Sequence, residues 1–217
     1  MQLAQGQKLL FTGDSVTDCG RAGTDHAAEE VVVGNLVNLG SGYPLLVHAM
    51  LDSSFPQQKL RVQNTGISGN TSRDLKNRFE RDVLAPKPDV VTILIGINDI
   101  WRQFDCPNEP SLHVGLSEYR ENIQWMIRRA KEQGIKIFLI SPFFMGTQGA
   151  MRAMTNEYQD CLRQLAELNQ VSYIDVQKDM DAYFEHYDPM NMSWDRVHPN
   201  HVGHMILAKA IYKVLSE

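Results

Sequence analysis

Along this chain the apolar positions alternate between the period of a strand and that of a helix. Residues 8–12 form a short apolar run closed by Gly13, which predicts a first strand. Residues 59–64 predict a second. Residues 90–95, Val-Val-Thr-Ile-Leu-Ile, are apolar on both faces, as a central strand of a parallel sheet must be. Residues 135–140 and 171–176 predict a fourth and a fifth strand. Between these runs the period lengthens. Pro44 suits the first turn of a helix reaching about residue 52. Over residues 71–84, Leu75, Phe79 and Val83 share one stripe, and Pro86 and Pro88 end it. Ile123, Met126, Ile127 and Ala130 repeat at helical spacing, with Ser117 expected as N-cap and Gly134 as the stop. Two more helices are predicted over residues 151–169 and from about 200 to 215. Strands separated by helices of this length imply right-handed βαβ units: a three-layer α/β/α sandwich around a five-stranded parallel sheet. No repeat, low-complexity tract or linker interrupts the alternation, so residues 1–217 are expected to form a single domain. Residues 21–42 and 101–115 read as loops near the ligand-binding edge of that sheet.

Composition agrees with this picture and narrows the function. The 217 residues, 43% hydrophobic and 22% charged, can bury one sizeable core. A net charge of −5 leaves no basic footprint for nucleic acid. No apolar stretch approaches the ~18 residues of a membrane span. The first seven residues carry neither the charged nor the apolar region of a signal peptide. Cys19, Cys106 and Cys161 are odd in number and show no CxxC spacing, so they read as reduced thiols of a cytoplasmic protein, not as a disulfide framework or a zinc site.

Four stretches place polar residues beside apolar runs: Gly13-Asp14-Ser15, Gly66-Ile67-Ser68-Gly69-Asn70, Gly96-Ile97-Asn98-Asp99 and Asp195-Arg196-Val197-His198. In an open parallel sheet, ligands bind outside the carboxyl ends of the strands, where these stretches can meet. Taken singly, Ser15 reads as a helix N-cap, Asp195 or Asn200 as a cap of the last helix, and Gly69 and Asn98 as turn residues. Taken together they supply a hydroxyl, an imidazole, a carboxylate and small hydrogen-bond donors, the inventory of serine-based acyl transfer. Ser15 would attack, His198 would accept its proton, and Asp195 would hold the imidazole in one tautomer. Gly69 lets a carbonyl approach a bare N–H, and the Asn98 amide offers a fixed donor to developing negative charge.

On these blocks the chain resembles the SGNH (GDSL-type) hydrolase family. Gly13-Asp14-Ser15, Gly69, Gly96-x-Asn98-Asp99 and Asp195-x-x-His198 stand in the family's order and span most of the chain. The resemblance implies a flavodoxin-like fold and a serine carboxylic-ester hydrolase with Ser15, His198 and Asp195 as catalytic residues. It implies an oxyanion hole from the Ser15 and Gly69 N–H groups and the Asn98 amide, and no metal or organic cofactor. Within the family, Lys8-Leu9-Leu10-Phe11, Asp18-Cys19-Gly20-Arg21, residues 96–103 and Trp194-Asp195-Arg196-Val197-His198-Pro199 are similar to bacterial acetyl-xylooligosaccharide esterases. That similarity implies removal of acetyl groups from small carbohydrates inside the cell, by a homo-oligomer; the charge and the short apolar runs already point to no nucleic-acid partner and no membrane span. Asp14, Trp101, Arg102 and Trp194 are then candidate substrate contacts. The two tryptophans would offer sugar-stacking faces, with packing as the competing reading. Residues 22–40 and 106–113 depart from that pattern and bear on the identity of the acyl acceptor.

Other readings predict different features. An esterase, lysophospholipase or thioesterase of the same family would share the site and differ in acyl or alcohol preference. A carbohydrate-binding module on this fold would lack catalytic residues, and none is missing. Gly13-Asp14-x-x-x-Asp18 also resembles a magnesium-binding stretch of haloacid-dehalogenase-type phosphatases, but the only Asp-x-Asp, Asp179-Met180-Asp181, lies far downstream. His198, His201 and His204 recur every three residues, whereas zinc sites on one helix more often use a spacing of four. No Gly-x-Ser-x-Gly elbow of the α/β-hydrolases is present. Phe143, Phe144, Met145, Met151 and Met154 read first as packing residues, with a pocket or subunit contact as the alternative.

Overall fold

A computed structural model describes residues 3–22 and 36–217. Five parallel strands form one sheet in the order β2-β1-β3-β4-β5: β1 (Lys8–Gly13), β2 (Arg61–Asn64), β3 (Val90–Leu94), β4 (Lys136–Ile140) and β5 (Ser172–Ile174). The helices are α1 (Ser15–Asp18), α2 (Tyr43–Ser54), α3 (Ser72–Phe79), α4 (Ile97–Asp105), α5 (Leu116–Glu132), α6 (Ala150–Asn169), α7 (Gln177–Phe184) and α8 (His201–Ser216).

The alternation of side chains along each strand divides the core into two layers. Leu9, Phe11, Val90, Leu94, Phe138 and Ile140 pack against Tyr43, Val47 and Leu51 of α2, Met180 of α7 and Leu207 and Ile211 of α8. Leu10, Val91, Ile93, Ile137 and Leu139 face the opposite way, against Leu75 and Phe79 of α3, Ile123 and Met126 of α5 and Leu162 and Leu165 of α6. The expected α/β/α sandwich is therefore present. Strand order reverses between β1 and β3, which opens a crevice at their carboxyl ends.

Several boundaries differ from the sequence reading. Residues 101–105 belong to α4 and are not loop; only the remainder, including a 3₁₀ turn over Pro110–Leu112, is irregular. Helix α7 was not expected from the sequence, because its only fully buried apolar side chain is Met180 and no stripe forms. Helix α5 starts at Leu116 with Gly115 at the cap, so Ser117 lies inside it. Lys59 adopts a left-handed conformation after a 3₁₀ turn, which delays β2 to Arg61. Beyond Phe79, α3 widens into a π turn over Glu80–Leu84. Of the expected loop over residues 21–42, and of the divergent segment 22–40, residues 23–35 lie outside the described residues. Phe143 and Met145 are core residues, and Phe144 packs with Ile97 and Val197 beneath the cleft.

Candidate active site

The first block sits where β1 turns into α1. A Cβ on Gly13 would lie 2.2 Å from the Leu94 carbonyl oxygen and 2.4 Å from Thr17 Oγ1, so only glycine lets β1 close on β3 at this point. Asp14 caps the short helix, its Oδ1 accepting from the Val16 N–H at 3.0 Å. Ser15 is therefore the first helical residue, not the N-cap, and its hydroxyl is free to face outward.

The last block comes from the loop before α8. Val197 is buried against Ile97 and Phe144, and the Arg196 carbonyl accepts from the Met145 N–H at 2.9 Å, which anchors the loop to the sheet's edge. Asn200 caps α8 through the Val202 N–H. Asp195 is thus left to hold the histidine. Its Oδ2 lies 2.6 Å from His198 Nδ1, and its Oδ1 accepts from the Ser193 hydroxyl and from the N–H groups of Val197 and His198 at 2.8–2.9 Å. Burial pushes the Asp195 carboxyl up, but the bonds from His198, Val197 and Ser193 outweigh it and bring the pKa to about 2. An ionised Asp195 requires Nδ1 to carry the proton. The lone pair of His198 Nε2 then faces Ser15 Oγ, 2.8 Å away.

Ser15, Gly69, Asn98, Trp101, Arg102 and His198 line one cavity of about 540 Å³, together with Cys19 and His204. Gly69 has φ +82, and a Cβ there would meet nothing within 4 Å, so this residue opens onto the cleft. Neither the Ser15 nor the Gly69 N–H has an acceptor among the described residues. Asn98 is buried and donates one amide hydrogen to the Asn70 carbonyl at 3.0 Å, leaving the second for the cleft. Below it, Asp99 accepts from the Ser72 N–H and hydroxyl, and burial raises its pKa to about 7. The Trp101 ring stands edge-on to His198 with centroids 5.8 Å apart, and the Arg102 guanidinium lies 4.9 Å from the Trp101 centroid. Arg102 is also paired with Asp105.

Two candidate substrate contacts are not among the residues lining this cavity. Asp14 is 1% exposed and turned to its own helix, so it supports Ser15 from beneath and does not line the cavity. Trp194 is 80% exposed and is likewise not among the lining residues. Of the three regularly spaced histidines, His201 is exposed, while His204 is buried with Nδ1 accepting from the Tyr43 N–H and Nε2 3.4 Å from Cys19 Sγ. Burial, with His201 and His198 nearby, lowers the His204 pKa to about 4. Among the described residues no cluster of three or more His, Cys, Asp or Glu side chains could hold a metal ion. Ser193, which donates to Asp195, and Cys19, which lines the cavity, were not singled out as site residues by the sequence reading.

Residues 11–206 match the GDSL-like lipase/acylhydrolase family. The chain is 41% identical over 215 residues to an acetylxylan esterase of Geobacillus stearothermophilus, covering 98% of this chain and 95% of that one. The crystal structure of that esterase, Axe2, covers 100% of this chain and 97% of its own with a TM-score of 0.94. LAE5, an alpha/beta hydrolase enzyme from the metagenome of Lake Arreo, is 40% identical with a TM-score of 0.93, covering 100% and 98% of the two chains.

Proposed function

This chain belongs to the GDSL-like lipase/acylhydrolase family and is a carboxylic ester hydrolase, and on that premise we propose that it removes acetyl groups from xylooligosaccharides through a serine-bound intermediate. Ser15 is the nucleophile, His198 the general base and Asp195 the residue that orients it. The observation that carries this reading is the unbroken hydrogen-bond chain from Ser15 Oγ to His198 Nε2 at 2.8 Å and from His198 Nδ1 to Asp195 at 2.6 Å.

In the first half-reaction Ser15 Oγ adds to the acetyl carbonyl carbon while its proton passes to His198 Nε2. The oxygen that becomes negative is held by the N–H groups of Ser15 and Gly69 and by the Asn98 amide. His198 returns the proton to the departing sugar oxygen, leaving acetyl-Ser15. Water then adds to the acetyl carbon with its proton taken by His198, acetate departs, and Oγ recovers the proton. The acetylated-sugar substrate rests on the identity to the Geobacillus esterase, and Trp101 and Arg102 at the cleft wall are the residues that would meet the sugar. The whole chain acts as one hydrolase domain in this reading, as a homo-oligomer in the cytoplasm, where three unpaired cysteines are at home.

Ser15→Ala is expected to abolish hydrolysis of a chromogenic acetate ester while circular dichroism stays unchanged. Near-native turnover in that variant would overturn the mechanism. Mass analysis of products from acetylated xylooligosaccharides, other acetylated sugars and an octanoate ester tests the substrate; a preference for octanoate would overturn it.

A further inference from the structure

One buried guanidinium touches two of the three segments that carry an oxyanion donor and reaches the third through Asn70. Arg78 lies on α3 and is 7% exposed. Its Nη2 donates to the Gly13 carbonyl at 2.9 Å, two residues before Ser15. Its Nη1 donates to the Thr65 carbonyl at 2.8 Å, at the start of the loop that carries Gly69. Its Nε donates to the Asn70 side-chain oxygen at 2.6 Å, at the end of that loop. The Asn70 backbone carbonyl in turn fixes the Asn98 amide at 3.0 Å. The Gly13 carbonyl also accepts from the Ile67 N–H at 3.1 Å, so the β1 end and the loop meet at this guanidinium.

We infer that Arg78 is a positioning residue for the proposed reaction, setting the Ser15 N–H, the Gly69 N–H and the Asn98 amide in register with one another. The inference rests on reading those three groups as the oxyanion hole. A hole of this kind stabilises the transition state only if its donors are already aimed before charge develops. The three segments arise from different strand ends, and no strand pairing holds them together beyond those ends. A planar fork of five donors can fix several carbonyls at once, which a lysine ammonium cannot reproduce. The fourth bond, from Nη1 to Asp82 at 3.1 Å, stays within the helical segment and balances the buried charge. It has no route to the cleft. Stability and positioning are therefore carried by different bonds of one side chain.

Three variants separate the two roles. Asn70→Ala removes the Nε arm and keeps the carbonyl that holds Asn98. Arg78→Lys keeps the charge beside Asp82 and loses the fork. Asp82→Asn leaves all three arms to the site. Asn70→Ala and Arg78→Lys are expected to lower kcat for a chromogenic acetate ester by about tenfold, less than the ~100-fold loss that follows outright removal of a donor. Their KM should stay within about twofold of native. Inhibition by 1,1,1-trifluoroacetone, which adds to Ser15 Oγ and places an oxyanion in the hole, should weaken by the same factor as kcat. Asp82→Asn should lower the melting temperature and leave kcat and inhibition at the native values. Native kcat in both Asn70→Ala and Arg78→Lys, with Ser15→Ala inert, would overturn the inference alone. Loss of kcat in all three variants in proportion to lost folded protein would also overturn it. If Arg78→Lys does not fold, Asn70→Ala decides. Activity in Ser15→Ala would overturn the reading of the site and the inference with it.

Discussion

Asp14 and Asp195 present the same functional group in opposite electrostatic states. Asp195 receives four hydrogen bonds and is held ionised, with a pKa of about 2. Asp14 is fully enclosed, and burial raises its pKa from 3.8 to about 7, against hydrogen bonding from the Val16 N–H, which acts to lower it. Between those two values the folded chain binds a proton that the unfolded chain releases. Asp14 thus contributes stability that is complete below about pH 4 and is lost as pH rises through about 7. Asp14→Asn keeps an acceptor for the Val16 N–H and removes the titration. Urea midpoints should show this variant more stable than the native protein at pH 8, by up to about 4 kcal/mol, with the difference gone below pH 4. A constant difference across that range would contradict the assignment. The sequence singled out Ser15, Asp195 and His198 because unusual residue types stood beside recognisable apolar runs. The buried pair of Arg78, the positioning residue, and Asp82, its charge partner, carried a weaker signal. Arg78 and Asp82 fall at the i+3 and i+7 places of the stripe begun by Leu75, polar residues where the periodicity calls for apolar ones. That anomaly marks burial but cannot say which carbonyls the guanidinium reaches.

Helix α8 follows the histidine loop and lends His204 to the cavity wall. Asn200 caps it through the Val202 N–H at 2.9 Å, and its amide also donates to the Asn191 carbonyl at 2.8 Å. Asn200→Ala should cost about 1 kcal/mol of stability. In a chain of this size that is a fall of roughly 2–4 °C in melting temperature. Turnover at 25 °C should stay near native, because Asp195 organises the histidine loop with its own bonds; a loss of kcat exceeding tenfold would show that the cap orders His198. Elements with long apolar stripes, such as α5 and α6, were legible from periodicity. Helix α4 was not, because it begins at a glycine with φ +133 that offers no side-chain cap, continues through Asn98 and Asp99, and is followed closely by Pro107. These are turn signals in sequence, and tertiary burial of Ile97, Asn98, Asp99 and Ile100 overrides them.

At the scale of the whole molecule, the sheet order sets where chemistry can occur. Periodicity and crossover handedness predict a sandwich, yet they leave the order of strands open; β1 and β3 become neighbours only because the chain steps to β2 on one side before crossing back. The core beneath them is shared by helices from both ends of the sequence. Ile211 of α8 is fully buried in the same layer as Phe11 of β1 and Val47 of α2. Ile211→Ala should cost about 2–5 kcal/mol of global stability. Below the unfolding transition its turnover per folded molecule should match the native value, measured by active-site titration alongside thermal melts; reduced turnover in fully folded protein would show that this layer tunes the site. Ser15 and His198 stand 183 positions apart along the chain. A polypeptide emerging from the ribosome consequently holds its nucleophile long before its proton acceptor, and is inert toward the esters around it until His198 has followed. Catalytic competence therefore serves as a timestamp for the meeting of these two distant residues.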